Sequence, residues 1–368
     1  MRCTEVLERG LADGDHVGAQ CYVSHRGETV LDVALGEARA GVPMTPDTMM
    51  ICFSMTKAVT AVALAREWER GRLDVEAPVA RYLPAFAANG KETVTLRHLL
   101  THTAGIPDAD GMLAGLPWRE SSEENLARIC AAPLEYPPGT RAGYHPAAGM
   151  TVLGAVIGEV SGTPYPDYVR TEIFGPLGMD DCWVGMPVAV QEGYGDRIGR
   201  MHASHRRPAR PLRGVDEPET IARSLPGAGG RGPMRRLARL YEALLHGGIL
   251  EPVTVAAISA RHRTGMVDET FGVVSDWGLG FAIDTTGMGP HCSRRAFGHG
   301  GHLSSVAFCD PEHDVVVAVV CNGMPERERH EARMHAFAAA VYVDLVSPRP
   351  TRPAGPRSSP PRACRVRP

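Results

Sequence analysis

Phe53-Ser54-Met55-Thr56-Lys57, followed by Ala58-Val59-Thr60-Ala61-Val62-Ala63-Leu64-Ala65, is the stretch around which the rest of the chain is organised. The run after Lys57 is apolar and reads as a largely buried helix that continues to about Arg70 and stops near Gly71. Side chains three residues apart share a helix face, so Ser54 Oγ and Lys57 Nζ can meet at the helix N-terminus. Apolar surroundings there disfavour a charged ammonium. The pair is then a weak nucleophile beside its activating base. Composition points the same way: of the 39 Lys and Arg residues, only Lys57 and Lys91 are lysines. Arginine keeps its proton in a protein, whereas burial can tune a lysine into a base near neutral pH.

Ser-x-x-Lys also arises by chance, so the remainder of the chain has to decide its meaning. At 368 residues the chain is long enough for one large or two interlocked domains. Its 43% hydrophobic and 22% charged residues are the balance of a globular protein, and a net charge of −3 argues against a nucleic-acid or membrane surface. No apolar run reaches the about 18 residues that a transmembrane helix needs. The segment Met1–Arg9 carries Glu5 and Glu8 and no apolar core, so it does not read as a signal peptide. Nine cysteines, odd in number and without Cys-x-x-Cys, read as reduced core thiols of a cytoplasmic protein. Cys52 is expected to pack rather than react.

Taken in order, residues 4–13 read as a helix. Val17–Ser24 and Thr29–Leu35 read as a hairpin turning at His25-Arg26-Gly27-Glu28. Helices follow at Thr95–His102, with Thr95 as N-cap, at Met150–Ser161 and at Met234–His246. Strand patterns return at Leu279–Asp284, Arg295–His299, Ser304–Cys309 and Val315–Val320, and a helix from about Glu326 to Leu345 closes the fold. Strands at both ends around a helical middle imply one sheet assembled from both termini, an α/β (α+β) fold flanked by helices. The expected division is residues 1–70 plus 275–346 as the sheet domain, with 71–274 as a mostly helical insertion. Residues 347–368 hold seven Pro and six Arg without an acid and read as a disordered tail.

Two patterns are decoys. Gly227-Ala228-Gly229-Gly230-Arg231-Gly232 satisfies G-x-G-x-x-G, but Ser224-Leu225-Pro226 precedes it where a dinucleotide site needs a strand, so it reads as a tight loop before a helix. His98 and His102 share a helix face at i, i+4, yet no Glu lies between them in the H-E-x-x-H sense, and they read as structural. Two further stretches complete the serine–lysine chemistry. Tyr144 follows the Pro/Gly-rich loop Pro137–Gly143, where a phenol can project into a cleft, and nearby positive charge would lower its pKa and make it a base. Phe297-Gly298-His299-Gly300-Gly301-His302 is a strand whose glycines permit close approach, so that a backbone N–H can reach an oxyanion together with the helix N-terminus at Ser54.

Together these residues resemble the serine β-lactamase/penicillin-binding-protein-like superfamily, above all its class C and family VIII esterase or acyltransferase branch. The resemblance spans roughly residues 15–345. Ser54-Met55-Thr56-Lys57 is similar to the family's S-x-x-K, Tyr144-His145-Pro146 falls where Y-x-N lies, and His299-Gly300-Gly301 falls where K-T-G or H-x-G lies. Thr95–Gly105 resembles a family landmark, and Gly229-Gly230 resembles the family's Gly-Gly before a helix.

The resemblance implies a β-lactamase/transpeptidase-like fold. Ser54 is then the acylated nucleophile, Lys57 its base and Tyr144 a proton shuttle to the leaving group. The N–H groups of Ser54 and His302 form the oxyanion hole, and His299, Gly300 and Gly301 line the cleft. Pro146 in place of Asn and His299 in place of a cationic Lys or Arg argue against efficient β-lactam hydrolysis.

The expected activity is hydrolysis of a small ester or amide through an acyl-enzyme. The alternative is transfer of the acyl group to an amine or alcohol in a natural-product pathway, and a third reading is a non-catalytic binding protein on the same fold. A small-molecule acyl donor, with an amine or alcohol acceptor under the second reading, is the implied partner. No metal or organic cofactor, nucleic acid or membrane is implied.

Overall fold

The computed structural model describes residues 1–106 and 122–345. The tail expected at residues 347–368 lies outside the described residues, as do residues 107–121. Helix α1 (Arg2–Ala12) opens the chain, and β1 (Gly18–His25) and β2 (Glu28–Arg39) form the expected hairpin. Arg26 and Gly27 turn it with φ of 55° and 75°, the left-handed pair that a two-residue hairpin loop requires. β2 continues past Leu35, the predicted end, and pairs with β3 (Val42–Pro43). β4 (Met50–Ile51) then leads through a 3-10 turn, Phe53–Met55, into α2 (Thr56–Glu69).

Helix α3 spans Leu96–Leu100. Its cap, Thr95, accepts from the His98 N–H through Oγ1 (3.2 Å), while the Thr95 N–H donates to His98 Nδ1 (3.2 Å). Because the helix ends at Leu100 and His102 follows at φ 57°, His98 and His102 do not share a helix face as expected. Helix α4 is Ala148–Ser161. β5 (Trp183–Val184) and β6 (Gly230–Gly232) join β4 in a small sheet, so the predicted loop of the G-x-G-x-x-G match contains a short strand. Helix α5 (Met234–His246) follows, then a hairpin of β7 (Val267–Asp268) and β8 (Val273–Val274). The predicted strand Leu279–Asp284 is interrupted: β9 (Asp276–Trp277) and β10 (Ala282–Ile283) flank a turn at Gly278–Gly280. β11 (Phe297–Gly301), β12 (Ser305–Asp310), β13 (Val315–Cys321) and α6 (Arg327–Leu345) complete the described chain.

The main sheet has eight antiparallel strands in the order β9-β10-β11-β12-β13-β1-β2-β3. β1 lies against β13 from Ala19↔Cys321 to His25↔Val315, so the two ends of the chain meet at its centre. Alternation along a strand sends successive side chains to opposite faces. Val315, Val317, Val319 and Cys321 pack with Leu7 of α1 and Phe337 and Val341 of α6. Val316, Ala318 and Val320 join the other cluster, which runs through α5 and α2 to Val152 and Ile157 of α4. Helix α5 lies inside the predicted insertion yet packs on the sheet. The division at residues 70 and 274 is kept as a proposal about topology, with one apolar core common to both parts.

All eight described cysteines are unpaired, and no helix among the described residues is long and apolar enough to cross a membrane. The two chain ends are fastened by Asn322, just after β13. Its Oδ1 accepts from the N–H groups of Val17 (3.2 Å) and Gly18 (2.7 Å), and its Nδ2 donates to Glu37 O (2.8 Å). Asn322→Ala removes the side-chain partner of those buried and half-buried backbone groups. The expected loss is about 2–4 kcal/mol, checked by urea unfolding against wild type.

Candidate active site

Ser54 sits in the second position of the 3-10 turn that opens α2. The residue before it, Phe53, holds φ at 45°, a left-handed conformation that a bulky side chain adopts at a cost. Thr56 Oγ1 fixes this turn by donating to Phe53 O (2.6 Å) while accepting from the Gly230 N–H (2.9 Å). The Cys52 N–H adds a bond to Gly230 O (2.7 Å). Cys52 itself is buried, and burial pushes its thiol up to about 12, in keeping with a packing role.

Lys57 is fully buried and lies 2.9 Å from Ser54 Oγ. Its Nζ also donates to Pro146 O (2.7 Å) and Gly227 O (2.8 Å). Burial lowers its pKa from 10.5 to about 7. A neutral amine has two N–H bonds, and two carbonyls are in place to take them. The lone pair then faces the Ser54 hydroxyl, which donates to it. The other lysine, Lys91, is also buried, but its Nζ donates to Ala88 O (2.6 Å) and Ala132 O beside the Phe86 ring. That is a structural post.

Tyr144 donates from its hydroxyl to Ser54 Oγ at 2.8 Å. The expectation that nearby positive charge would lower its pKa is overturned. Burial raises it, and the bond with Ser54 only partly offsets the rise. A phenolate here would stand in a largely apolar enclosure beside a lysine whose own charge burial disfavours. Tyr144 is therefore a phenol at rest, an acid rather than a base. Its ring is enclosed by His102 (4.6 Å between centroids), Phe271 (4.9 Å) and Trp277 (5.8 Å).

The strand β11 closes the other side. β10 pairs only with Phe297 and Gly298, so on that flank the stretch His299–Gly301 is free of the sheet ladder. The His299 ring is buried 6.0 Å from that of Tyr144 and 5.5 Å from Trp277. Its Nδ1–H donates to Gly300 O (2.7 Å), and burial together with Lys57 pushes its pKa down to about 3. It is a neutral wall, not a cation. Gly301 runs against the nucleophile turn: a Cβ there would stand 2.7 Å from Cys52 O and 2.1 Å from Ser305 Oγ. The absent side chain lets the two backbones meet. Gly300 and His302 are exposed beside it, and the His302 ring lies edge-on to Phe53 at 6.1 Å.

All seven residues predicted for the site thus converge on one region of the molecule. Sequence reasoning missed the two carbonyls that orient Lys57. Gly227 drew notice only as part of a decoy, and Pro146 only as a replaced Asn. It also missed the aromatic enclosure of Tyr144, for which Phe271 and Trp277 carry no motif.

Known proteins resemble this chain in sequence and in fold. Residues 4–341 match the beta-lactamase family. The chain is 32% identical over 315 residues to esterase EstB of Burkholderia gladioli, covering 76% of this chain and 78% of that protein. It is 30% identical over 330 residues to the esterase/beta-lactamase LipL of Mycobacterium tuberculosis, covering 80% and 75%. A crystal structure of a family VIII carboxylesterase aligns with a TM-score of 0.78 at 27% identity, covering 91% of this chain and 95% of that one.

The two-lysine composition makes the central electrostatic claim measurable. In protein labelled with 13C at lysine Cε, two side-chain resonances are expected. The one lost in Lys57→Met should titrate near pH 7.

Proposed function

Because the chain belongs to the beta-lactamase family, within which it is a serine hydrolase akin to the family VIII esterases, we propose that it forms an acyl-enzyme on Ser54 and hydrolyses a small ester or amide. The observation that carries this reading is the position of Ser54 Oγ, 2.9 Å from Lys57 Nζ and 2.8 Å from Tyr144 OH. Neutral Lys57 takes the hydroxyl proton as Ser54 Oγ bonds to the acyl carbon. The N–H groups of Ser54 and His302 receive the oxyanion. Tyr144 gives its proton to the departing alkoxide or amine as the acyl–leaving-group bond breaks, and the Lys57 ammonium re-protonates the phenolate. Deacylation runs the same transfers in reverse, with water as the nucleophile. Pro146 supplies its carbonyl to Lys57, the lysine contact that the family gives to an Asn side chain. A β-lactam carboxylate would find no fixed cation at His299.

Transfer to an amine or alcohol is the second reading. The rings of His102, Phe271 and Trp277 around Tyr144 favour it, because they limit the access of water to the group that handles the acceptor's proton. A cytoplasmic, natural-product setting belongs to the same proposal, supported by cysteines that are buried or half-buried and unpaired.

Intact-protein mass spectrometry with a small activated ester tests both readings. Wild type should gain the acyl mass and Ser54→Ala should not; no adduct on wild type from a panel of activated esters would overturn the proposal. An adduct that decays in water identifies a hydrolase. One that persists until an amine or alcohol is added, then leaves as a new amide or ester, identifies a transacylase. Lys57→Arg should slow acylation by about 10³-fold, since arginine offers no neutral form. In wild type the acylation rate should fall as pH drops through about 7, where Lys57 gains its proton.

A further inference from the structure

Of the eight large apolar side chains exposed among the described residues, four lie on one small element, the β7–β8 hairpin: Val267, Phe271, Val273 and Val274. The last two are 56% and 59% exposed. The same hairpin bonds to the Tyr144 loop at several points. Asp268 Oδ1 accepts from the Tyr144 N–H (3.1 Å), and Thr270 Oγ1 donates to Tyr144 O (3.1 Å). The Glu269 N–H donates to Ala142 O (2.9 Å), Arg141 pairs with Glu269, and the Phe271 ring lies against that of Tyr144.

Asp268 is fully buried and is held in turn by Arg263, whose Nη2 donates to Oδ2 at 3.1 Å. Arg263 is anchored by bonds to Thr101 O (3.0 Å) and Ser275 O (3.1 Å) and by the Trp277 ring beneath it. A buried carboxylate would not be retained merely to cap a surface hairpin, since its desolvation is costly. Among the described residues, its one side-chain bond outside the hairpin and Arg263 is to the backbone of Tyr144.

Under the acyl-enzyme reading Tyr144 hands its proton to the leaving oxygen, which places a group lying on the Phe271 ring beside it on the alcohol side of an ester. We propose that the β7–β8 hairpin is the alcohol-side specificity element of this enzyme. Phe271 binds the apolar alcohol of an uncharged ester, and Asp268, locked by Arg263, is the positioning residue that holds Tyr144 over Ser54. The inference rests on the acyl-enzyme reading above and adds the substrate class. By microscopic reversibility the same surface receives an apolar alcohol as acceptor if the enzyme transfers acyl groups.

Two ester series test it: one acyl group on alcohols from methyl to cyclohexyl and benzyl, and one alcohol carrying acyl groups of increasing length. Phe271→Ala should lower kcat/KM about tenfold for the bulky apolar alcohols and leave the ranking of the acyl series unchanged. A loss that follows acyl length instead overturns the assignment of the surface.

Asp268→Asn should slow esters of weakly acidic alcohols by about 10²-fold while sparing nitrophenyl esters, whose leaving group needs no proton. An equal loss on both kinds overturns the positioning role. Should Asp268→Asn fail to fold, Thr270→Val removes a single bond to the Tyr144 carbonyl and should produce a smaller shift with the same leaving-group dependence. Nitrophenyl acylation of Ser54, absent in Ser54→Ala, reports separately on the underlying reading: if wild type lacks it, the acyl-enzyme itself is wrong rather than the hairpin.

Discussion

The desolvation of one ammonium group governs this molecule. Lys57 lies where the sheet, α2 and α4 share a single apolar core, and water does not reach its Nζ. An isolated buried charge is too costly to keep, so the group lowers its proton affinity instead. Between its native value of about 7 and its ordinary 10.5 the folded chain holds less of this proton than the unfolded chain does. By linkage, that part of the stability rises with pH across this window and is missing below it. The native state bears this cost, and in return it holds a base beside a serine.

The rest of the site keeps that pair aligned. Phe53 would relax from its positive φ without the Thr56 hydroxyl tied to both Phe53 O and the Gly230 N–H. The carbonyls of Pro146 and Gly227 fix the direction of the amine, which a solvated lysine could not do for itself. On the opposite side, the Arg263–Asp268 pair holds the tyrosine loop. Such a buried pair contributes little net stability, but loss of one partner costs about 3–5 kcal/mol because the other charge is left uncompensated. Placement, more than stability, explains its presence.

Burial divides the site's titratable groups into distinct tasks. It lowers Lys57 to near neutrality, raises Tyr144 and strips His299 of charge. A lysine with its pKa lowered and a tyrosine with its pKa raised, on either side of one hydroxyl, result from a single cause acting on groups of opposite charge type. The neutral imidazole matters equally, for it leaves the cleft without a fixed cation at that position.

The serine and lysine could be identified from sequence because their contact is local. Three residues along a helix start is a distance set by backbone geometry, and the apolar run after Lys57 announces its burial. The hairpin at Arg26-Gly27, the Thr95 cap and the valine-rich last strand were readable for the same reason. Where long-range packing intervened, the reading failed: the helix expected to carry both His98 and His102 stops at Leu100, and the strand expected at Leu279–Asp284 is broken. The proton affinity of Tyr144 was read with the wrong sign, because it depends on what encloses the ring. The carbonyls that aim Lys57 come from residues 89 and 170 positions away, and Asp268 reaches Tyr144 across 124. Sequence by itself determined which groups could carry the proposed chemistry and most of the elements that hold them. Only the tertiary structure decided their protonation and their orientation, since both follow from how much water is excluded and which distant backbone atoms replace it.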